Sequence, residues 1–298
     1  TPVTTPIGKG FRSVNVQLRK ELDITEPNHS LDDLIKFNQY DHSYIVRNRV
    51  LESVTTIIEN LFPKFDTEYH AKLKAAKLGT TIQSVIEMWQ KDAERSREEG
   101  TKMHSLIDKY LHGEKPSYNK ELELFESFTR IIPLKPFRTE WAIYDLASGI
   151  AGTVDYIDYQ NGKYTLYDWK RSEKLIANGL PAKSDAYGGK GLYPIEHIEN
   201  SPYYHYALQL GFYRYILEKN YNIQIDKMCL GIFHPSYNKP YVLAMPYLKK
   251  EVEIIINLNL PLVVLPFLWP YNAAVNPAGP PPTIAMSYSL LILFPLFF

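Results

Sequence analysis

Two runs rich in β-branched and aromatic residues, Ile150–Asp158 and Lys163–Arg171, are separated by Asn161-Gly162. Asn-Gly is the strongest short hairpin signal, because a two-residue type I′ turn needs positive φ at both of its positions. Such a turn fixes the register: residues equidistant from it face each other. Asp155 lies six residues before Asn161 and Asp168 six residues after Gly162. The two carboxylates are therefore expected opposite each other on one face, with Lys170, two residues on, pointing the same way. A turn centred on Ala147-Ser148 would likewise set Glu140 opposite Asp155, although that loop lacks strong turn residues.

Three acids in a row across neighbouring strands repel one another and destabilise a sheet. With Ile143, Val154, Ile157 and Leu166 around them they would also be partly desolvated. A divalent cation removes both objections. Oxygen ligands suit Mg²⁺ or Mn²⁺, and a lysine beside them suits phosphodiester hydrolysis. The cation polarises the phosphate and lowers the pKa of a bound water, while the lysine orients that water or stabilises developing charge. The plainer alternative makes Glu140, Asp168 and Lys170 surface ion pairs on a solvated strand face.

The rest of the pattern surrounds this meander with helices. Residues 1–40 read as a polar lead-in with one possible short helix, and Tyr44–Val54 alternates like a strand. Leu73–His112 is mainly helical, broken near Gly79 and Gly100, with Ile82, Val85, Ile86 and Trp89 at helical spacing. A short helix over Glu121–Phe128 precedes a strand over Arg138–Asp145. Beyond the hairpin, 172–200 is a long connection, and Ser201-Pro202 opens a helix that runs to about Asn220. Strands near Met228–His234 and Tyr241–Met245 and a helix from Tyr247 to Asn257 follow. The expected fold is α/β, a mixed β-sheet flanked by helices with a helical N-terminal layer. Its domain spans 41–257, with the helical layer at 56–130 and the core at 131–257.

Composition narrows the partners. Lys+Arg and Asp+Glu are both 33, so there is no general pull toward nucleic acid and any such site must be local. No basic run exists; Lys91, Arg95 and Arg97 are interleaved with Asp92, Glu94, Glu98 and Glu99. A single cysteine, Cys229, excludes a disulfide framework and a cysteine-ligated zinc or iron–sulfur cluster within one chain. The 23 tyrosines serve stacking or packing. Thr1–Gly10 is polar with no apolar core, which gives the expectation of an intracellular, unsecreted protein. From Ile254 to Phe298 no residue is charged and eight prolines interrupt the run. That segment is too broken for a membrane span, and 258–298 is expected to lie outside the fold.

Gly152-Thr153-Val154-Asp155, then Tyr167-Asp168-Trp169-Lys170, then Gln209-Leu210-Gly211-Phe212-Tyr213 resembles the RecB-type branch of the PD-(D/E)xK nucleases. Gly100-Thr101-Lys102-Met103-His104 is similar to that branch's G-T-x-x-H helix. Ser53-Val54-Thr55 and Phe62 to Asp66 are similar to members found in phages, large DNA viruses and the mitochondrial single-strand exonuclease. The resemblance covers roughly residues 40–257. It implies a restriction-endonuclease-like core holding one or two Mg²⁺ or Mn²⁺ ions and no iron–sulfur cluster. Asp155 and Asp168 are implied as metal ligands with the Trp169 carbonyl, and Lys170 as the catalytic lysine. Glu140 is implied as a nearby acid, and His104 as a further ligand or phosphate contact. Gln209 would hold Lys170 or the attacking water, and Tyr213 lies four residues on along the same helical face. Tyr213, Arg171, Lys174 and Thr101 are the expected nucleic-acid contacts. The implied activity is a DNA exonuclease, acting as a monomer on single-stranded or frayed ends in replication, repair or recombination. A junction-resolvase-like endonuclease and a non-catalytic DNA-binding module of the same fold are the alternatives.

Overall fold

A computed structural model describes residues 29–38, 43–184 and 189–258. The expected lead-in helix and the uncharged tail beyond Leu258 lie outside these residues. The described lead-in residues are not an extension: Ile35–Asn38 is a strand (β1) paired with Ser43–Val46 (β2). Asp32, wholly buried, accepts from Trp141 Nε1 at 2.8 Å and so ties this segment to the core. The strand-like stretch 44–54 is two strands folded back on each other. Val46 faces Arg49 of β3 (Arg49–Ser53) across Arg47-Asn48, both at positive φ.

Four helices follow: α1 (Val54–Asn60), α2 (Thr67–Leu78), α3 (Ile82–Leu111) and α4 (Lys120–Ile131). Each begins where a side chain accepts an orphan backbone N–H, from Ser53, Asp66, Thr81 and Asn119 respectively. Gly79, at φ 63°, ends α2 as expected. Gly100 does not break α3. A mid-helix glycine costs only about 1 kcal/mol, and the buried Met103, Leu106 and Ile107 beyond it anchor the helix.

Next come β4 (Pro136–Asp145), β5 (Ile150–Gln160), β6 (Lys163–Lys170) and a two-residue hairpin, β7 (Ile176–Ala177) with β8 (Leu180–Pro181). The chain closes with α5 (Pro202–Asn220), β9 (Ile225–Ile232), β10 (Tyr241–Ala244) and α6 (Lys249–Asn257). Ser201 occupies the N-cap position of α5, but its hydroxyl donates to the Lys183 carbonyl instead of capping.

Among the described residues the main sheet runs β1-β2-β3-β5-β6-β9-β10, with β4 on the remaining edge of β5. The sheet is mixed: β3 with β5 and β6 with β9 are parallel, the other pairs antiparallel. Asn161-Gly162 sets the anticipated register, Tyr156 facing Tyr167 and Gln160 facing Lys163. The β4–β5 register is also the one a turn at Ala147-Ser148 dictates, with Trp141 facing Val154. β3 and β6 share the edge of β5 opposite β4. The first pairs at Ile150 and Ala151, the second only from Tyr156 onward. Between them, Gly152–Asp155 has no strand partner on that edge, so the sheet forks.

On one side α3 and α4 bury Met103, Ile107, Phe125 and Phe128 against Tyr156, Tyr167, Trp169 and Cys229. Cys229 is the inert core thiol its strand context suggests, pushed by burial up to about 11. Helix α5 is buried almost all round, with Ala207, Leu208, Leu210, Phe212, Ile216 and Leu217 fully enclosed. At the fork the Tyr213 ring of α5 lies on the backbone of Gly152, where a Cβ would overlap Tyr213 Cε1. Gly152→Ala is therefore expected to destabilise the domain by about 1–3 kcal/mol, the usual penalty of overpacking. Urea unfolding of the two proteins measures this; equal midpoints would show that Tyr213 yields freely.

Candidate metal centre

The fork brings together side chains from both helical layers and three strands. Asp155 sits at the end of the unpaired stretch of β5, 9% exposed, and its Oδ2 accepts the Trp169 backbone N–H at 2.7 Å. That bond takes the place of the ladder's next rung. Asp155 and Asp168 thus occupy opposed positions, but the ladder stops one residue short of them and their carboxylates do different things.

Asp155 gathers with Glu140 and His104. His104, on α3, has Nδ1 at 3.6 Å from Glu140 Oε1 and 3.7 Å from Asp155 Oδ2. One ligand atom from each of the three lies within 4.8 Å of the others, a grouping able to chelate a metal ion. The His104 Nε2–H donates to the Trp169 carbonyl at 3.0 Å, which turns Nδ1 toward the carboxylates. A histidine that donates its other N–H to a backbone carbonyl is oriented as metal-binding histidines are. The Trp169 carbonyl, implied as a ligand by resemblance, here orients His104. Glu140 is held at φ 43°, a left-handed conformation that β-strand residues other than glycine rarely adopt. Strain of this kind concentrates at functional sites.

Asp168, 1% exposed, faces the Lys170 ammonium, with Oδ2 2.6 Å from Nζ. Its Oδ1 accepts from Gln209 Nε2 at 3.3 Å, and the same amide nitrogen donates to the Tyr213 hydroxyl at 3.0 Å. Gln209 therefore holds Asp168, where the expectation was Lys170 or the attacking water. The far side of the Lys170 ammonium rests on the Tyr206 ring, 4.7 Å from its centroid. Sequence reading missed Tyr206; its only signal is its place one turn before Gln209, in a helix with five tyrosines.

The other expected contacts divide. Thr101 and Lys174 are exposed. Tyr213, 4% exposed, is buried beneath Gln209, and its packing does not fit a role as a nucleic-acid contact. The Arg171 guanidinium is already engaged, its Nε donating to Glu121 at 2.8 Å and its terminal nitrogen lying 2.8 Å from Glu99. It braces β6 against α3 and α4, which does not fit a free phosphate contact either.

Electrostatics follow from this crowding. Burial pushes His104 down, but the Asp155 and Glu140 carboxylates outweigh it and hold the imidazolium up to about 9. Burial raises Asp155 against the pull of His104 and Lys170. Burial likewise pushes Asp168 up to about 6, with the Lys170 ammonium only partly offsetting it. For Lys170 burial opposes the charge, yet Asp168 and Asp155 prevail and raise it above the ordinary amine range. At neutral pH the metal-free site thus holds two cations, on His104 and Lys170.

A cation at Nδ1 must displace the His104 proton, so its apparent affinity should rise as pH climbs from 7 toward about 9. Mn²⁺ titrations in buffers of different ionisation enthalpy would report the released proton; an affinity flat over that range would remove His104 from the ligand set. In the metal-free protein the same raised pKa contributes stability present below 6.5 and lost as pH rises through about 9. Glu140→Gly and Glu140→Ala should both weaken Mn²⁺ binding, but the glycine variant should be the more stable by about 1 kcal/mol, because only it relieves the left-handed backbone. Chemical denaturation without metal measures that difference.

No family model and no curated protein matches this sequence. Among solved structures the chain is similar to one named "Crystal structure of SSO0001", 14% identical, with 85% of each chain covered and a TM-score of 0.31. At that score the likeness carries no argument about fold or function.

Proposed function

We propose that this chain is a metal-dependent DNA nuclease of the PD-(D/E)xK type, acting as a monomeric exonuclease on single-stranded or frayed ends. The observation that supports the reading most is the Lys170 ammonium, held charged by Asp168 next to the His104–Glu140–Asp155 set. A divalent cation held by that set would polarise a phosphate and make a bound water more acidic. The chain's own residues account for the rest. In hydrolysis a water oxygen bonds to phosphorus and gives up a proton to solvent. The bond to the leaving oxygen breaks as that oxygen takes up a proton from solvent, and negative charge grows on the phosphoryl oxygens on the way. Lys170 keeps its proton, so it serves as a fixed positive charge for those oxygens and not as a base. Asp168 aims that charge, and Gln209, braced by Tyr213, aims Asp168. Thr101 and Lys174 are the exposed candidates for guiding the nucleic-acid backbone.

Single-stranded oligonucleotides labelled at either end test the reading. Cleavage should require Mg²⁺ or Mn²⁺, cease with EDTA, and release short products progressively from one end. Asp155→Asn and Lys170→Ala should each lower turnover ~10²–10⁴-fold without loss of folding. Full activity in excess chelator would overturn the proposal, and cleavage of circular single strands would replace an exonuclease with an endonuclease.

A further inference from the structure

We propose that Tyr206 is a positioning residue for Lys170, and that its ring, not its hydroxyl, does the positioning; the expected effect on turnover rests on the nuclease reading above. A lysine ammonium ends a flexible four-carbon stem, and one ion pair fixes only one side of it. Lys170 has two supports: Asp168 Oδ2 at 2.6 Å and the Tyr206 ring with its centroid at 4.7 Å. An ammonium this close to a ring face is drawn to its π electrons, more strongly where water is scarce, and the Lys170 side chain is 17% exposed. The Tyr206 hydroxyl makes no hydrogen bond among the described residues, which leaves the ring as the functional part.

The arrangement along α5 gives the contact a purpose. Tyr206, Gln209 and Tyr213 fall three and four residues apart, on one helical face. They meet, in order, the Lys170 ammonium, the Asp168 carboxylate and the Gln209 amide. One helix face thus grips both partners of the Asp168–Lys170 pair. Without the ring, Lys170 would keep its charge and its attraction to Asp168 but could swing about that contact.

The test compares Tyr206→Phe, which keeps the ring, with Tyr206→Leu, which removes it; Tyr206→Met takes the place of the leucine variant if that does not fold. In metal-free protein carrying ¹³C-labelled lysine, the Lys170 ε-methylene signal, assigned by its loss in Lys170→Met, should be shifted upfield by the ring. The shift should persist in Tyr206→Phe and collapse in the leucine or methionine variant. With Mg²⁺ and single-stranded DNA, the ringless variant should lose about five- to thirtyfold in kcat at little change in KM, the span expected of one cation–π contact. Tyr206→Phe should stay within about threefold of the parent, and Mn²⁺ affinity should be unchanged in all. A ringless variant with parental kcat and an unmoved lysine signal would overturn the inference, and so would a phenylalanine variant as impaired as the ringless one. Absence of metal-dependent cleavage in the parent would instead sink the nuclease reading, and the lysine signal would still decide where Tyr206 acts.

Discussion

The site depends on one hydrogen bond, from the Trp169 backbone N–H to the Asp155 carboxylate. A strand that continued its ladder would give that N–H to a main-chain carbonyl. Because a side chain takes it, β6 parts from β5 just past Tyr156 and Tyr167, and β3 can join the same edge of β5 further along. The gap that opens is where α3 brings His104 from one side and α5 brings Gln209 from the other. A continuous sheet would keep those two layers apart. The fork is thus the condition for a polar site inside a domain whose neighbouring positions are filled by Trp169, Phe125 and Phe233.

The charges inside the fork form two groups, one with a single cation between two acids and one a matched pair. His104 compensates Asp155 and Glu140, and Lys170 compensates Asp168. Burying unpaired carboxylates here would be costly, and the pairing makes the metal-free domain viable. It also sets the terms on which a cation enters, by exchange with a proton on His104. Just beyond, Arg171 is bound by Glu99 and Glu121, so the end of β6 is pinned to α3 and α4 while Lys170 is held from the α5 side. Four consecutive residues, Asp168 to Arg171, are each fixed by a different partner.

Much of this was legible in the chain. Asn161-Gly162 admits one register, and that register put Asp155 and Asp168 in opposed positions before any coordinates. The helix starts were read only in part: helix α2 was expected from Leu73 but begins at Thr67, because Asp66, whose side chain caps it, passed unnoticed. Arg47-Asn48 escaped notice because arginine carries no turn signal, so two strands read as one. Side-chain partners were harder still. Gln209 was placed on the right helix face, but whether its amide meets lysine or aspartate is decided by which side of β6 the Lys170 stem takes. Tyr206 was hard to single out among the five tyrosines of its helix, its one signal being its place a turn before Gln209. The Trp169 carbonyl could not be told from any other strand carbonyl until α3 was docked on it.

Glu140 has a consequence for the history of such chains. Along the rest of β4 the backbone is extended, and many side chains would serve equally well for folding. At position 140 the left-handed conformation favours glycine, asparagine or aspartate over a glutamate. Folding stability alone does not favour glutamate here, so the side chain, and not the backbone, is what the position offers the site. If the site serves a cation, a descendant that no longer used one could drift toward glycine there and ease the strand. Position 140 is therefore where decay of such a site would first leave a trace, ahead of position 155, where the fold itself still needs an acceptor oxygen for the Trp169 N–H to hold the fork open.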